Sequence, residues 1–73
     1  MLKFKVSDPI YVASLNSVVN KREGMFIGAV GDIIVADESK AFPYQVKFYD
    51  KEIENLNLQL GIRLWDENEL RFQ

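Results

Sequence analysis

The sequence predicts an all-β fold: a small barrel of about five short antiparallel strands with one 3₁₀ turn. Three observations carry this. Apolar residues recur at period two in several short runs, β-branched and aromatic residues fill those runs, and Gly, Pro, Asp and Asn separate them. A chain of 73 residues makes a single domain, residues 1–73, and closing so short a sheet hides its edges.

Taken in order, Leu2, Phe4 and Val6 alternate with Lys3 and Lys5, the pattern of a half-buried strand with an edge guarded by charge. Asp8-Pro9 ends that run, because proline has no N–H and moves its predecessor out of helical geometry. Across residues 10–23, Val12, Leu15, Val18 and Val19 stand at helical spacing among Ser, Asn and β-branched residues. Helix and loop both fit that stretch, and the loop is the preferred reading. Met25 to Val35 reads as a strand, with Gly28 and Gly31 marking a bulge or a tight turn. The Asp37-Glu38-Ser39-Lys40 turn leads past Pro43 into a strand with Val46 and Phe48 on one face and Gln45, Lys47 and Tyr49 on the other. A charged connection over 50–55 follows. Leu58, Leu60, Ile62 and Leu64 then alternate with Gln59, Gly61, Arg63 and Trp65, the clearest strand pattern in the chain. Asp66 and Glu69 have capping-box spacing, so a 3₁₀ turn is expected there, ahead of a last strand from Leu70 to Phe72.

These residues carry a resemblance. Gly24-x-x-x-Gly28-x-x-Gly31-x-Ile33 resembles the glycine spacing of SH3-like barrels of the KOW and Tudor kind. Glu38-Ser39-x-x-Pro43-Tyr44-x-Val46-x-Phe48 and Leu64-Trp65-x-x-x-Glu69-Leu70 add to it. Together they are similar to small SH3-like proteins encoded by phages and prophages of Gram-positive bacteria, most of them without an assigned function. The likeness spans residues 24–72. It implies a fold more than an activity, and an accessory, host-directed role in the cytoplasm of a bacterial cell. The KOW type implies contact with RNA, but here the segment is not basic.

Composition narrows the function classes. There is no His and no Cys, which removes thiolate metal sites, cysteine nucleophiles and the commonest general base. Ser7, Ser14, Ser17 and Ser39 have no base to activate them, and the carboxylates cluster in charged turns where solvent keeps them ionised. An enzyme is not expected, nor a cofactor. Neither Asp50-Lys51-Glu52-Ile53-Glu54 nor Asp66-Glu67-Asn68-Glu69 has the ligand spacing of a calcium loop, and Gly28-Ala29-Val30-Gly31 lacks the Lys-Ser/Thr of a phosphate loop. No apolar run reaches membrane-spanning length and the first residues lack a signal-peptide pattern, so no membrane partner is expected.

Recognition remains. Phe42-Pro43-Tyr44 forms a proline-stiffened aromatic loop, and Lys47, Tyr49, Arg63 and Trp65 share one outward parity. Aromatics and arginine are the residue types of interface hot spots, so Phe42, Tyr44, Lys47, Tyr49, Arg63 and Trp65 are the expected partner-binding residues. Asp50, Glu52, Glu54, Asp66, Glu67 and Glu69 are the expected acidic surface. Net charge is −2, and residues 37–73 hold five cations against eight acids. The first expectation is therefore a monomeric or weakly oligomeric protein that binds a host protein and inhibits it by steric or acidic-surface competition. The second is a nucleic-acid-binding barrel using the same aromatic and basic face, which the acidic balance disfavours. A structural piece of a virion or larger assembly is the third.

Overall fold

The computed structural model describes residues 1–18 and 20–73; Val19, part of the helix-or-loop stretch, lies outside the described residues. The chain is mostly strands in one antiparallel sheet. β1 spans Pro9–Val12, β2 Val30–Ala36, β3 Tyr44–Phe48 and β4 Leu70–Phe72, in the spatial order β3-β2-β1-β4. A 3₁₀ helix, Lys21–Phe26, lies between β1 and β2; an α-helix, α1 (Lys51–Gln59), and a 3₁₀ turn, Glu67–Glu69, separate β3 from β4. Four strands form where about five were expected. Among the described residues β3 and β4 do not pair with each other, so the sheet stays open rather than closing into a barrel.

The core is the inner face of this sheet. Ile10, Val12, Ile33, Val46, Phe48 and Leu70 line it, and Phe26, Leu56 and Trp65 pack against them. Gly31 lets β2 and β3 approach closely, because a Cβ there would run into the Lys47 carbonyl and the Val46 side chain. A register shift between Ile33 and Val35 marks a bulge in β2.

Three expectations are corrected. Leu2 to Val6 is not a strand: Lys5 N–H donates to the Asp8 carboxylate at 2.8 Å and Ser7 takes φ 80°, forming a turn. The strand begins at Pro9 instead, a first-residue position that proline tolerates. Phe4 is still buried, with rings of Tyr44 and Phe72 at 5.3 and 4.8 Å. Met25 and Phe26 belong to the 3₁₀ helix, which Asn20 and Glu23 start as a capping box, and β2 opens only at Val30. Of the 10–23 stretch, residues 13–18 are irregular, as the loop reading had it, whereas Ile10–Val12 belong to β1 and Lys21–Glu23 to the 3₁₀ helix.

The largest correction is at 51–64. The Asp50 side chain accepts from Glu52 N and Ile53 N, and α1 follows, with Ile53, Leu56 and Leu60 turned to the core. Gly61 (φ 84°) closes it: Gly61 N donates to Leu58 O and Ile62 N to Asn57 O, a Schellman ending. Ile62 follows with φ 61°, which costs a β-branched residue about 1–2 kcal/mol. What remains of the expected strand is a single antiparallel bridge, Tyr44↔Trp65. The 3₁₀ turn and β4 lie where the sequence places them, and Asp66 and Glu69 form both halves of their capping box. No helix among the described residues is long and apolar enough to cross a membrane.

Candidate functional site

The strand register builds an outer face. Tyr11 lies opposite Arg71 on one side and Val30 on the other, and Tyr49 N–H donates to Val30 O. Arg71, Tyr11, Val30 and Tyr49, the last just beyond the end of β3, therefore form one row across the sheet. Pro9, Asp32 and Lys47 form the row beside it. Alternation sends these side chains away from the core. Tyr11 and Tyr49 remain 38% and 57% exposed, and Lys47 and Arg71 are exposed too. Two strand spacings set the tyrosines roughly 10 Å apart. Tyr49 hydroxyl donates to Asp32 Oδ1, which holds the ring across the face. That bond, with lesser help from desolvation and the Asp32 charge, raises the Tyr49 pKa above its ordinary 10.0. Arg71 is steadied from the other side by Leu70 O at 3.0 Å and Asn68 O at 3.4 Å.

A second polar constellation faces inward. The Arg63 guanidinium bonds Glu23 Oε1 through one nitrogen, and Glu69 Oε2 (2.8 Å) and Ser17 O (3.2 Å) through the other. It lies 4.6 Å over the Trp65 ring. Glu69 also accepts from Asn16 N and Asp66 N, both at 2.9 Å, and Glu23 accepts from Asn20 N at 2.8 Å. One guanidinium thus ties the β1–β2 connection to the last 3₁₀ turn through two buried carboxylates. Beside it is a cleft of about 200 Å³ bordered by Asn16, Ser17, Phe42 and Leu64, with Arg63 and Glu69 also lining it.

The expected binding residues divide between these places. Lys47 and Tyr49 stand on the outer face as expected, and Phe42 is 49% exposed at the cleft. Tyr44 and Trp65 are fully buried, which corrects their outward placement. Tyr44 hydroxyl accepts from Phe4 N at 3.1 Å, and Trp65 meets Phe26 edge-on at 5.3 Å. Arg63 turns in with them, its side chain 12% exposed. The reason is common to Arg63 and Trp65: their outward parity presupposed a strand through 58–65, and the end of α1, its Schellman turn and an irregular stretch over 62–64 take its place.

The acidic set is dispersed as well. Asp50, Glu52 and Glu67 are exposed, Glu54 and Asp66 half-buried, and Glu69 is 1% exposed, inside the molecule. Asp50 and Asp66 cap helices, and Glu54 accepts from Phe48 N at 3.0 Å. Sequence reasoning missed Tyr11 and Arg71. The signal was present: Ile10 and Val12 inward leave Tyr11 outward, and Leu70 inward leaves Arg71 outward. Among the described residues no group of three or more Asp or Glu side chains is placed to hold a metal ion. Compared with protein-family models, with curated proteins and with solved structures, the chain matches none of them.

Proposed function

We propose that this chain is a non-enzymatic protein-binding module, an SH3-like small β protein whose outer sheet face docks on a larger partner. One observation carries the docking role: Tyr11, Tyr49, Arg71 and Lys47 stand together on an open face of the only sheet among the described residues. Tyrosine and arginine combine large contact area with few degrees of freedom to lose on docking, and they dominate interface hot spots. A standard interface buries about 800 Å² per partner, roughly a sixth of this molecule's 4609 Å² surface. The SH3-like reading draws its support from the strand order, in which β1 pairs with both β2 and β4, and from the 3₁₀ turn directly before β4.

In this reading the chain is a phage or prophage accessory factor acting in the bacterial cytoplasm on a host protein. Steric occupation through the outer face would inhibit it, and Asp50, Glu52 and Glu67 are the exposed acids left to compete for a basic surface. A second reading rests on Lys47 and Arg71 lying beside the two tyrosines, a combination that also stacks and neutralises single-stranded nucleic acid.

Capture of partners by the tagged chain from nuclease-treated bacterial lysate, in parallel with Tyr11→Ala and Tyr49→Ala, separates the two. A protein retained by the parent and lost from both variants is the expected result. Failure to retain any protein, with bound DNA or RNA released steeply by salt, would replace it with the nucleic-acid reading. Trp65→Ala is unsuited to this purpose, since it tests the core.

A further inference from the structure

We propose that residues 60–64 are a latent fifth strand, held off the edge of β3 by the side chain of Asn57. The argument starts at the Tyr44↔Trp65 bridge, where both backbone bonds are made: Tyr44 N to Trp65 O at 3.2 Å and Trp65 N to Tyr44 O at 2.9 Å. In an antiparallel ladder the next bonded pair lies two residues on in each strand, which is Val46 with Arg63. Val46 O and Arg63 N both turn towards this gap, but a side chain is spliced between them. Asn57 Nδ2 donates to Val46 O at 3.3 Å, and Arg63 N donates to Asn57 Oδ1 at 3.0 Å. The primary amide copies a peptide group and continues the ladder by proxy. One pair further on, where Phe48 would meet Gly61, Phe48 N–H is taken by Glu54 Oε1 at 3.0 Å.

Two further observations favour the alternative. Ile62 is held at φ 61°, a conformation that a β-branched side chain resists and that an extended strand would release. The sequence from Leu58 to Trp65 alternates at period two, so the segment already has the pattern of the other state. The closing turn of α1 and the strand therefore compete for Leu60, Gly61 and Ile62, with the cap at Asp50 and the Schellman bonds favouring the helix.

Pairing with β3 in this register sets faces. Arg63 stays inward opposite Val46, where it already lies. Ile62 falls opposite Lys47, Leu64 opposite Gln45 and Leu60 beside Tyr49, all on the outer face. The strand state thus widens the tyrosine face by three apolar side chains. A partner that covers them favours that state. The strand itself stands on the backbone geometry; its effect on docking rests on the outer-face function proposed above.

NMR of the isolated chain tests the switch without any partner. Relaxation dispersion reads μs–ms exchange, and the expected result is exchange confined to residues 46–48 and 57–64. The minor state should carry strand-type carbon shifts over 60–64, at a population of roughly 0.1–10%. Ile62→Gly removes the strain of the present state and should abolish the exchange. Gly61→Val, disfavoured at φ 84°, should make the strand the major state, seen as an Hα–Hα contact between Lys47 and Ile62. Flat dispersion in the parent overturns the proposal, as does a folded Gly61→Val that keeps α1 intact and lacks that contact. Should Gly61→Val not fold, the parent and Ile62→Gly decide alone. Partner capture that survives Tyr49→Ala, with exchange as expected in the parent, counts against the docking face and leaves the strand standing.

Discussion

The Arg63 hub and the outer face of the sheet use the same chemical parts. Each has an arginine, aromatic rings and carboxylate, yet one holds the fold together and the other is left open to solvent. At the hub, Arg63 lies over Trp65 and its charge is shared by Glu23 and Glu69, both nearly inaccessible. Outside, Arg71 sits beside Tyr11, and Asp32 holds Tyr49, with Arg71 and both tyrosines exposed. The difference is desolvation. A buried ion group is satisfied only by its own members, so removing one leaves the others stranded. An exposed group loses little when one member goes, which frees its residues for a partner.

Four measurements press on that contrast, beginning with the largest effect. Trp65→Ala should cost about 3–5 kcal/mol, because the cavity it leaves lies among Phe26, Phe48 and Tyr44. A chain of this size has a total stability of roughly 4–11 kcal/mol, so denaturant titration should find this variant barely folded. Arg63→Met should lose about 3–5 kcal/mol by the same titration, since it abandons two buried carboxylates. Arg63→Lys should fail to restore it, because a point charge does not span both acids as the planar fork does. Tyr11→Ala and Tyr49→Ala should each move stability by less than about 0.5 kcal/mol while abolishing partner capture. A loss of stability there as large as at the hub would erase the distinction between the two regions.

The smallest effect is ionisation of Tyr49. The folded state holds this phenolic proton more tightly than the unfolded chain, through the bond to Asp32. Its contribution to stability is therefore present in full below the ordinary tyrosine range and fades as pH rises through the higher folded-state value. Ultraviolet titration of the phenolate should show one tyrosine ionising late, and Asp32→Ala should return it to the ordinary 10.0.

Legibility in the sequence followed the range of the interactions. Residues 66–72 were readable because a cap is local: Asp66 and Glu69 are three apart and bind each other's backbone whatever the rest of the chain does. Gln45 to Phe48 was readable because one face of that strand is core, although the strand already begins at Tyr44. At 51–64 two periods overlap. Ile53, Leu56 and Leu60 have helical spacing, whereas Leu58, Leu60, Ile62 and Leu64 alternate, and Asp50 and Gly61 at the ends decide for the helix. The candidate site inherited that ambiguity. Lys47 and Tyr49 were placed from a strand that forms; Arg63 and Trp65 were placed from one that does not. Arg63's partners, Glu23 and Glu69, are 40 and 6 residues away in sequence, and no pattern along the chain pairs them. The Leu2–Val6 run misled for a similar reason, since the turn at Ser7 depends on Asp8 closing back on Lys5.

Trp65 is the single tryptophan of the chain, sealed from solvent beneath Arg63 and edge-on to Phe26 and Phe48. The molecule therefore carries its own optical gauge. Indole emission reports on the hub, whereas Tyr11 and Tyr49 stand on the outer face of the sheet. Emission that stays blue while a partner is added, together with a changing tyrosine signal, would separate docking from unfolding in one cuvette.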